Sequence, residues 1–499
     1  MMKKFASLLA VAFLLSFFAQ SARAQTAELV IARPVSTNAL DPGFLREAAT
    51  LVDNVFDTLV MRDSQMRLVP GLAESWRSID DTTWEFKLRS GVRFTNGEEF
   101  NAEAVKFTID RVLDPAARSP TVSYIRSIRS VTVVDPLTVR ISTDGPDPLL
   151  PARMSRYPAY IVPPAYVRQV GNEEFARRPV GTGPYRVTSF VRDESVVMEA
   201  NANYWRGAPA IRRVTWRTIP EATARIAALL TNEVQLIEGV AADQVQLLQR
   251  SSDVQLVQVR NGGLTIYLGL KTAQPPLNDA RVRQALSLAI DRAAIVRTLL
   301  RDFATATGTQ VGAFDFGYLR TPAPAADPAR ARALLAEAGF ANGFEIAMQA
   351  PRRYISSAEV GQAIAQQFQA IGVRVTLEAP EWSVYTQQVP AGRQAPIYML
   401  GWGSTQTLDA DAALYAILRS GEPYSTVSIP ELDRLLDESR RTVDPARREQ
   451  ILHQIQEFSA REVPLITLYQ EDSLYARRAN VEFAGRADAR IPVFDIRVR

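Results

Sequence analysis

Residues 70–111, PGLAESWRSIDDTTWEFKLRSGVRFTNGEEFNAEAVKFTIDR, constrain the fold of this chain more than any other stretch. Trp84, Phe86 and Leu88 alternate with Glu85, Lys87 and Arg89. That period of two predicts a strand with one buried face, and Val92 and Phe94 extend it. Asn96-Gly97 is a tight-turn signal, because both residues tolerate positive φ. Asn101 stands where a helix N-cap belongs, with Glu103 in the first turn, where the helix dipole favours an acid. Val105, Ile109, Val112 and Leu113 form the apolar stripe of that helix, and Asp114-Pro115 stops it. The segment is a strand–turn–helix unit of an α/β domain and carries no catalytic group.

The same two periods alternate along the rest of the chain. Asp327-Pro328 opens a helix that closes at Gly339, with proline in the first turn and glycine just past the end. A helix over 357–371 ends at Gly372 and is followed by a strand over 373–377. Residues 280–300 read as a helix pair around Asp291, and Asp444-Pro445 starts another helix with Ile451, Ile455 and Phe458 inward. There is no tandem repeat. Pro/Gly clusters near 144–151, 179–184 and 274–277 are the expected crossings between lobes.

The N-terminus reads as an export signal. Lys3 and Lys4 precede an apolar run from Phe5 to Phe18, which at about 14 residues is too short to span a bilayer. Ala22-Arg23-Ala24 is a small-x-small cleavage site, so cleavage is expected between Ala24 and Gln25. Loss of Lys3, Lys4 and Arg23 leaves basic and acidic residues balanced at 54 each. A near-neutral chain gives no electrostatic case for nucleic acid or an anionic membrane surface. The absence of cysteine excludes disulfides, thiolate metal sites, a cysteine nucleophile and a lipoprotein anchor. With 47% apolar residues, a mature chain of this length folds on its own core, as more than one lobe.

Catalytic parts are scarce. The sole histidine, His453, falls in the helix REQILHQIQEF, where a solvated or half-buried role is expected. Without a second histidine or any cysteine, a Ser-His-Asp hydrolase and a transition-metal cage lack components. Carboxylate-only hydrolysis stays formally open, although no pair of acids is singled out. Gly181-Thr182-Gly183 is not a phosphate loop, because a strand rather than a helix follows it and the third glycine is missing. No Walker A sequence is present. Neither a cofactor nor a metal is expected.

The wording of several blocks goes beyond periodicity: "LAESW", "WEFKLRSGVRFTNGEEF" and "NAEAVKFTIDR", then "GTGPYRV" at 181–187, the run 201–236, "PPLNDARVRQALSLAIDRAAIV" at 275–296, "DPARARALLAEAGF" at 327–340 and "AIGVRVTLEAPEWSVY" at 370–385. In this order they closely resemble the periplasmic peptide/nickel-type solute-binding proteins of ABC importers (bacterial extracellular solute-binding proteins, family 5). The resemblance implies an α/β two-lobed clamp of the class II-like periplasmic-binding-protein kind, with an extra inserted domain. By the same likeness, the first lobe comprises 25–46, 179–264 and 476–499, the inserted domain 47–178 and the second lobe 265–475. It further implies a monomer in the periplasm that delivers a short peptide or peptide-like acid to membrane permease subunits, whose partner ATPases supply the energy. A metal chelate, such as nickel in an organic acid, or an opine-like carboxylated molecule is the alternative cargo.

The resemblance also points to site residues. In "APRRYISSAEV" dipeptide-type relatives place a carboxylate-binding arginine two residues before a tyrosine, which is Arg352, and glutathione-type relatives place it directly before, which is Arg353; Tyr354 follows. Guanidinium suits this task because its planar fork matches a carboxylate bidentately. Trp402 corresponds to an aromatic that lies against the ligand. The aspartate that receives a peptide's amine is replaced here by Thr405, a neutral hydroxyl, which departs from the dipeptide pattern. Asp409 and Asp411 are the replacement candidates, Asp411 being equally readable as a helix cap. Arg153, Arg156, Tyr157 and Tyr160 could line the cleft from the inserted domain, and Trp382 is expected in the core.

Overall fold

A computed structural model describes residues 27–44, 49–404 and 407–499. The expected signal segment and Thr405 lie outside the described residues. Among the described residues, no helix is long and apolar enough to cross a membrane.

Two large sheets organise the chain. The first has seven strands, in the spatial order Val254–Val259, Ser473–Arg478, Leu236–Glu238, Ala27–Arg33, Ile211–Thr218, Ser195–Ala200 and Tyr185–Val191. Its strands come from the start, the middle and the end of the sequence. Ala27–Arg33 pairs in parallel with both neighbours, and Leu29, Ile31, Val214 and Trp216 anchor the core on one face.

The second sheet has six strands, in the order Ala304–Ala306, Leu465–Glu471, Thr265–Leu270, Ile397–Trp402, Phe344–Gln349 and Val373–Glu378. All of Thr265–Leu270 is buried, which suits its near-continuous apolar sequence. Helices Ala280–Ala289 and Ser357–Gln369 cover one face; Ala410–Leu418, Pro430–Arg441 and Pro445–Glu462 cover the other.

Residues 70–111 build the third unit, a four-stranded antiparallel sheet of Ala73–Asp80, Thr83–Leu88, Thr138–Thr143 and Ile128–Asp135 with helix Ala102–Leu113 packed on it. Asn101 caps that helix, its Oδ1 accepting from the N–H groups of Glu103 (3.0 Å) and Ala104 (3.2 Å). The strand stops at Leu88 rather than running through Phe94, because the chain turns at Gly91, where φ is +74°. Val92 and Phe94 are still buried, held by an isolated bridge between Arg93 and Glu99 in which the Phe94 N–H donates to the Glu98 carbonyl (2.9 Å) and the Phe100 N–H to the Val92 carbonyl (3.0 Å). Glu85, on the face expected to be solvated, is buried under Arg77 and Arg140, each at 2.9 Å.

Two crossings join the large sheets. Residues 260–264 connect Val254–Val259 to Thr265–Leu270, and Asp472 connects Leu465–Glu471 to Ser473–Arg478. They are tied side by side: the Asn261 N–H donates to Asp472 Oδ1 (2.9 Å), the Gly263 N–H to the Glu471 carbonyl (2.8 Å) and the Glu471 N–H to the Leu264 carbonyl (2.9 Å). Two adjacent crossings of this kind form a hinge geometry. The Pro/Gly cluster at 274–277 is not a crossing; it links a strand and a helix of the same sheet unit. The glycines of Gly181-Thr182-Gly183 serve a close backbone approach. A Cβ on Gly181 would stand 2.1 Å from the Val55 carbonyl oxygen, and the Gly183 N–H donates to that same oxygen at 2.9 Å.

Candidate functional site

Strand Ile397–Trp402 carries the centre of the site, and its alternation sends neighbouring residues to opposite faces. At Gly401 the tyrosine of 352–354 comes in: the Gly401 N–H donates to Tyr354 Oη at 2.8 Å. A Cβ at 401 would lie 2.7 Å from the Tyr354 ring, which explains a glycine in a strand interior. Tyr354 meets Trp382 edge to face at 5.9 Å, and the Arg353 guanidinium sits 5.6 Å from the Trp382 ring centre. Trp382 is therefore half-buried in this wall rather than a core residue. Arg352 and Arg353 are both exposed.

Beneath the wall lies Glu471. Its Oε1 accepts the Ile355 N–H at 3.2 Å. Burial pushes its carboxyl up to about 7, with the Ile355 bond and the Arg353 charge pulling the other way.

Trp402 faces the other side. Its indole N–H donates to the Ala412 carbonyl at 2.8 Å, and its ring lies 5.0 Å from that of Tyr424. Asp409 and Asp411 stand at the start of helix Ala410–Leu418, and both are already engaged. Asp409 caps the helix, accepting the Asp411 N–H at 2.9 Å, and holds Arg448 bidentately at 2.6 and 2.7 Å. Asp411 holds Arg440 bidentately at 2.7 and 2.9 Å. Each carboxylate thus has an internal cation where a ligand ammonium would sit. The structure brings Arg353 and Tyr354 together with Gly401, and it sets Asp409 and Asp411 apart from them.

Pattern reading missed two groups nearby. Asp315 is buried, accepting from the Ser404 hydroxyl and, at 2.9 Å, from the Gly312 N–H. Burial raises its carboxyl to about 7. Arg62 comes from the third unit and donates to the Thr407 carbonyl and, at 2.6 Å, to the Met66 carbonyl. It bridges the inserted stretch to the loop that follows Trp402. Burial, reinforced by nearby Arg490, lowers its pKa to about 10. The only sequence signals were an acid flanked by two phenylalanines (Phe314 and Phe316) and an arginine ending a short strand.

A gap of about 20 Å³ separates the hinge from Trp402 and Ser404, with Asp315, Gln470 and Ala487 on its rim. It leads toward a cavity of about 530 Å³ that shares Phe314, Asp315 and Leu408 with it. This cavity lies between Trp76, Trp84 and Pro151 of the third unit and Phe314, Phe316 and Pro445 of the six-stranded unit. Its walls are mostly apolar with a few charges, as in small-molecule sites. Among the described residues, no group of three or more histidine and acidic side chains could hold a metal ion, and His453 is half-buried on helix Pro445–Glu462.

Residues 67–425 match the family model of bacterial extracellular solute-binding proteins, family 5 Middle. The glutathione-binding protein GsiB of Escherichia coli O1:K1 / APEC is 29% identical over 469 residues, covering 91% of each chain. HbpA2 from Haemophilus parasuis superposes with a TM-score of 0.85 at 25% identity, over 95% of this chain and 100% of that one. The ABC transporter-associated periplasmic binding protein DppA from Helicobacter pylori, solved in complex with the peptide STSA, gives 0.75 at 25% identity over 96% and 99%.

Proposed function

The chain belongs to the bacterial extracellular solute-binding proteins of family 5, and from that membership we propose that it captures a short peptide or peptide-like acid between its two large sheet units and delivers it to an ABC permease. The chain-wide likeness to a glutathione-binding and to a peptide-complexed protein supports the ligand class. The observation that carries it to a site is the Arg353–Tyr354 wall docked on Gly401. Arg353 and Arg352 offer the ligand's carboxylate a planar fork of donors, and Tyr354 and Trp382 supply flat apolar surface at low entropic cost, with Trp402 presenting its ring on the other face of the strand. Glu471, beneath this wall, forms no ion pair among the described residues and receives the ligand's amine in place of the aspartate missing at Thr405; Asp315, at the gap beside Trp402 and Ser404, is a second carboxylate without an ion pair among the described residues. Closure about the double crossing at 260–264 and 472 dries the cleft and strengthens both contacts. The first lobe comprises 25–46, 179–264 and 473–499, the inserted domain 47–178 and the second lobe 265–472, the C-terminal boundary falling three residues before the one the resemblance implied because strand Ser473–Arg478 belongs to the seven-stranded sheet. The mature protein is a monomer that starts at Gln25, lies free in the periplasm and binds without turnover.

The test is a thermal-shift screen of mature protein against dipeptides, tripeptides, glutathione and opine-like conjugates, followed by calorimetry on any stabiliser. The double variant Arg352→Ala/Arg353→Ala keeps its fold and loses about two to three decades of affinity for an acid ligand, the cost of stranding a buried charge. Stabilisation by sugars or free metal alone, or full affinity in the double variant, refutes the reading.

A further inference from the structure

A second large cavity, of about 490 Å³, lies in another part of the molecule. Segment 53–70 forms one side of it and the C-terminal segment 486–495 the other, with Tyr160 and Tyr204 between them. None of Arg352, Arg353, Tyr354 or Trp402 borders it.

Asp53 is the first of its unusual groups. The side chain is 7% exposed. Its Oδ1 takes the Tyr160 hydroxyl and faces Arg490 at 3.2 Å. Its Oδ2 has no hydrogen-bond partner among the described residues. A buried carboxylate oxygen left bare is costly, so this position calls for a donor. Asp57, also on the cavity, needs nothing more, since Thr182, Tyr204 and Trp205 donate to it at 2.8, 2.9 and 2.9 Å.

The cations on the same wall show the opposite deficit. Arg490 is shared between Asp53 and Asp488, and Arg486 is bidentate on Asp488. Arg62 is bonded to carbonyl oxygens, and Arg206 lies over the Phe494 ring at 4.9 Å. Neither has a carboxylate within ion-pair distance among the described residues. An anion alone would leave Asp53 Oδ2 without a donor, and a cation alone would leave Arg62 and Arg206 without an anionic partner. One small molecule that carries both an ammonium and a carboxylate answers both.

We propose that this cavity is a separate small-molecule site for a zwitterionic amino acid with an apolar body, its ammonium on Asp53, its carboxylate on Arg206 in the field of the Arg62 charge, and its body against Tyr160, Tyr204 and Phe494. The site shares Arg62 with the cavity beside Trp76 and Trp84 but includes none of Arg352, Arg353, Tyr354 or Trp402.

The test uses three matched probes on the mature full chain: L-phenylalanine, 3-phenylpropionate, which lacks the amine, and phenethylamine, which lacks the acid. Calorimetry should rank L-phenylalanine at least about tenfold above the other two. Asp53→Asn should bring L-phenylalanine down to the level of 3-phenylpropionate. Arg206→Ala, at an exposed position where folding is not at stake, should weaken both acids about tenfold and leave phenethylamine unchanged. Arg352→Ala/Arg353→Ala should leave all three affinities as they were. Equal binding of the three probes, no binding of any, or loss on changing 352 and 353 overturns the proposal. A wild-type protein that binds no peptide but keeps this ranking refutes the peptide reading alone.

Discussion

Asp315→Asn should change how stability depends on pH, and the structure sets the sign and the size. The carboxyl of Asp315 is pushed from 3.8 up to about 7, chiefly by burial, against the bonds from Ser404 and Gly312. The folded chain therefore holds this proton more tightly than the unfolded chain does. Stability contributed by the group is present at low pH and is lost as pH rises toward and through the folded value. Linkage over these two values gives a loss of about 2.5 kcal/mol between about pH 5 and about pH 8. Asparagine cannot ionise and has the shape of the protonated acid, and the Ser404 hydroxyl can turn to accept from its amide. The variant should match wild type only at pH values below the unfolded 3.8, exceed it by about 1.7 kcal/mol near pH 5 and exceed it by about 4 kcal/mol near pH 8. Glu471 titrates in the same window in both proteins, so the difference between them isolates Asp315. Urea unfolding followed by tryptophan fluorescence at several pH values is the assay, with equal m-values required of both proteins. Parallel pH profiles would show that Asp315 stays ionised in the fold and would refute the reasoning.

Two other substitutions probe how the site is held. Arg448→Ala removes the bidentate partner of buried Asp409, which also caps helix Ala410–Leu418; a loss of about 3–5 kcal/mol is expected, and a thermal midpoint equal to that of wild type would show the pair to be dispensable. Gly181→Ala should prevent normal folding, because its Cβ would stand 2.1 Å from the Val55 carbonyl, whereas Gly97→Ala at an open turn costs only about 1 kcal/mol; circular dichroism melts that fail to separate the two would refute the close-approach argument.

Elements that depend on neighbours in sequence were the legible ones. The Asn101 cap, the helices opened by Asp327-Pro328 and Asp444-Pro445, and the pair around Asp291 all rest on local periodicity and capping chemistry, and each is present. The end of strand Thr83–Leu88 was misjudged because buried Val92 and Phe94 mimic a strand's alternation while Gly91 has already turned the chain. The crossing was sought at prolines, yet it lies at Gly262-Gly263 and is made by pairing with residues more than two hundred positions away. The role of Trp382 could not be read locally, since it depends on Tyr354 arriving from a different helix connection. Asp409 and Asp411 were legible as acids in the right place, but their arginine partners sit 39 and 29 residues later, on two other helices.

Those partners bear on how ligand-binding groups are told apart in an arginine-rich interior. Arg283 spends its donors on the carbonyls of Leu277 and Glu462, and Arg292 on those of Thr467 and Ser287. Arg440 and Arg448 are saturated by aspartates. Guanidinium groups of this kind hold helices and strands together, and a ligand would have to displace a bonded partner to reach them. Arg352 and Arg353 have no carbonyl or carboxylate partner for their guanidinium groups among the described residues, and each lies at a wall rather than in a core; Arg206, at the other cavity, contacts the Tyr204 hydroxyl and the Phe494 ring. Two acids reverse the pattern: buried Asp315 and half-buried Glu471 have no bound cation among the described residues, so each holds its proton to about neutral pH. An incoming ammonium beside either would lower that pKa and expel the proton. If the proposed ligand places its amine beside either acid, capture should release a proton around neutrality and weaken as the medium becomes more acidic; calorimetry that finds the same affinity at pH 5 and pH 8 would refute this.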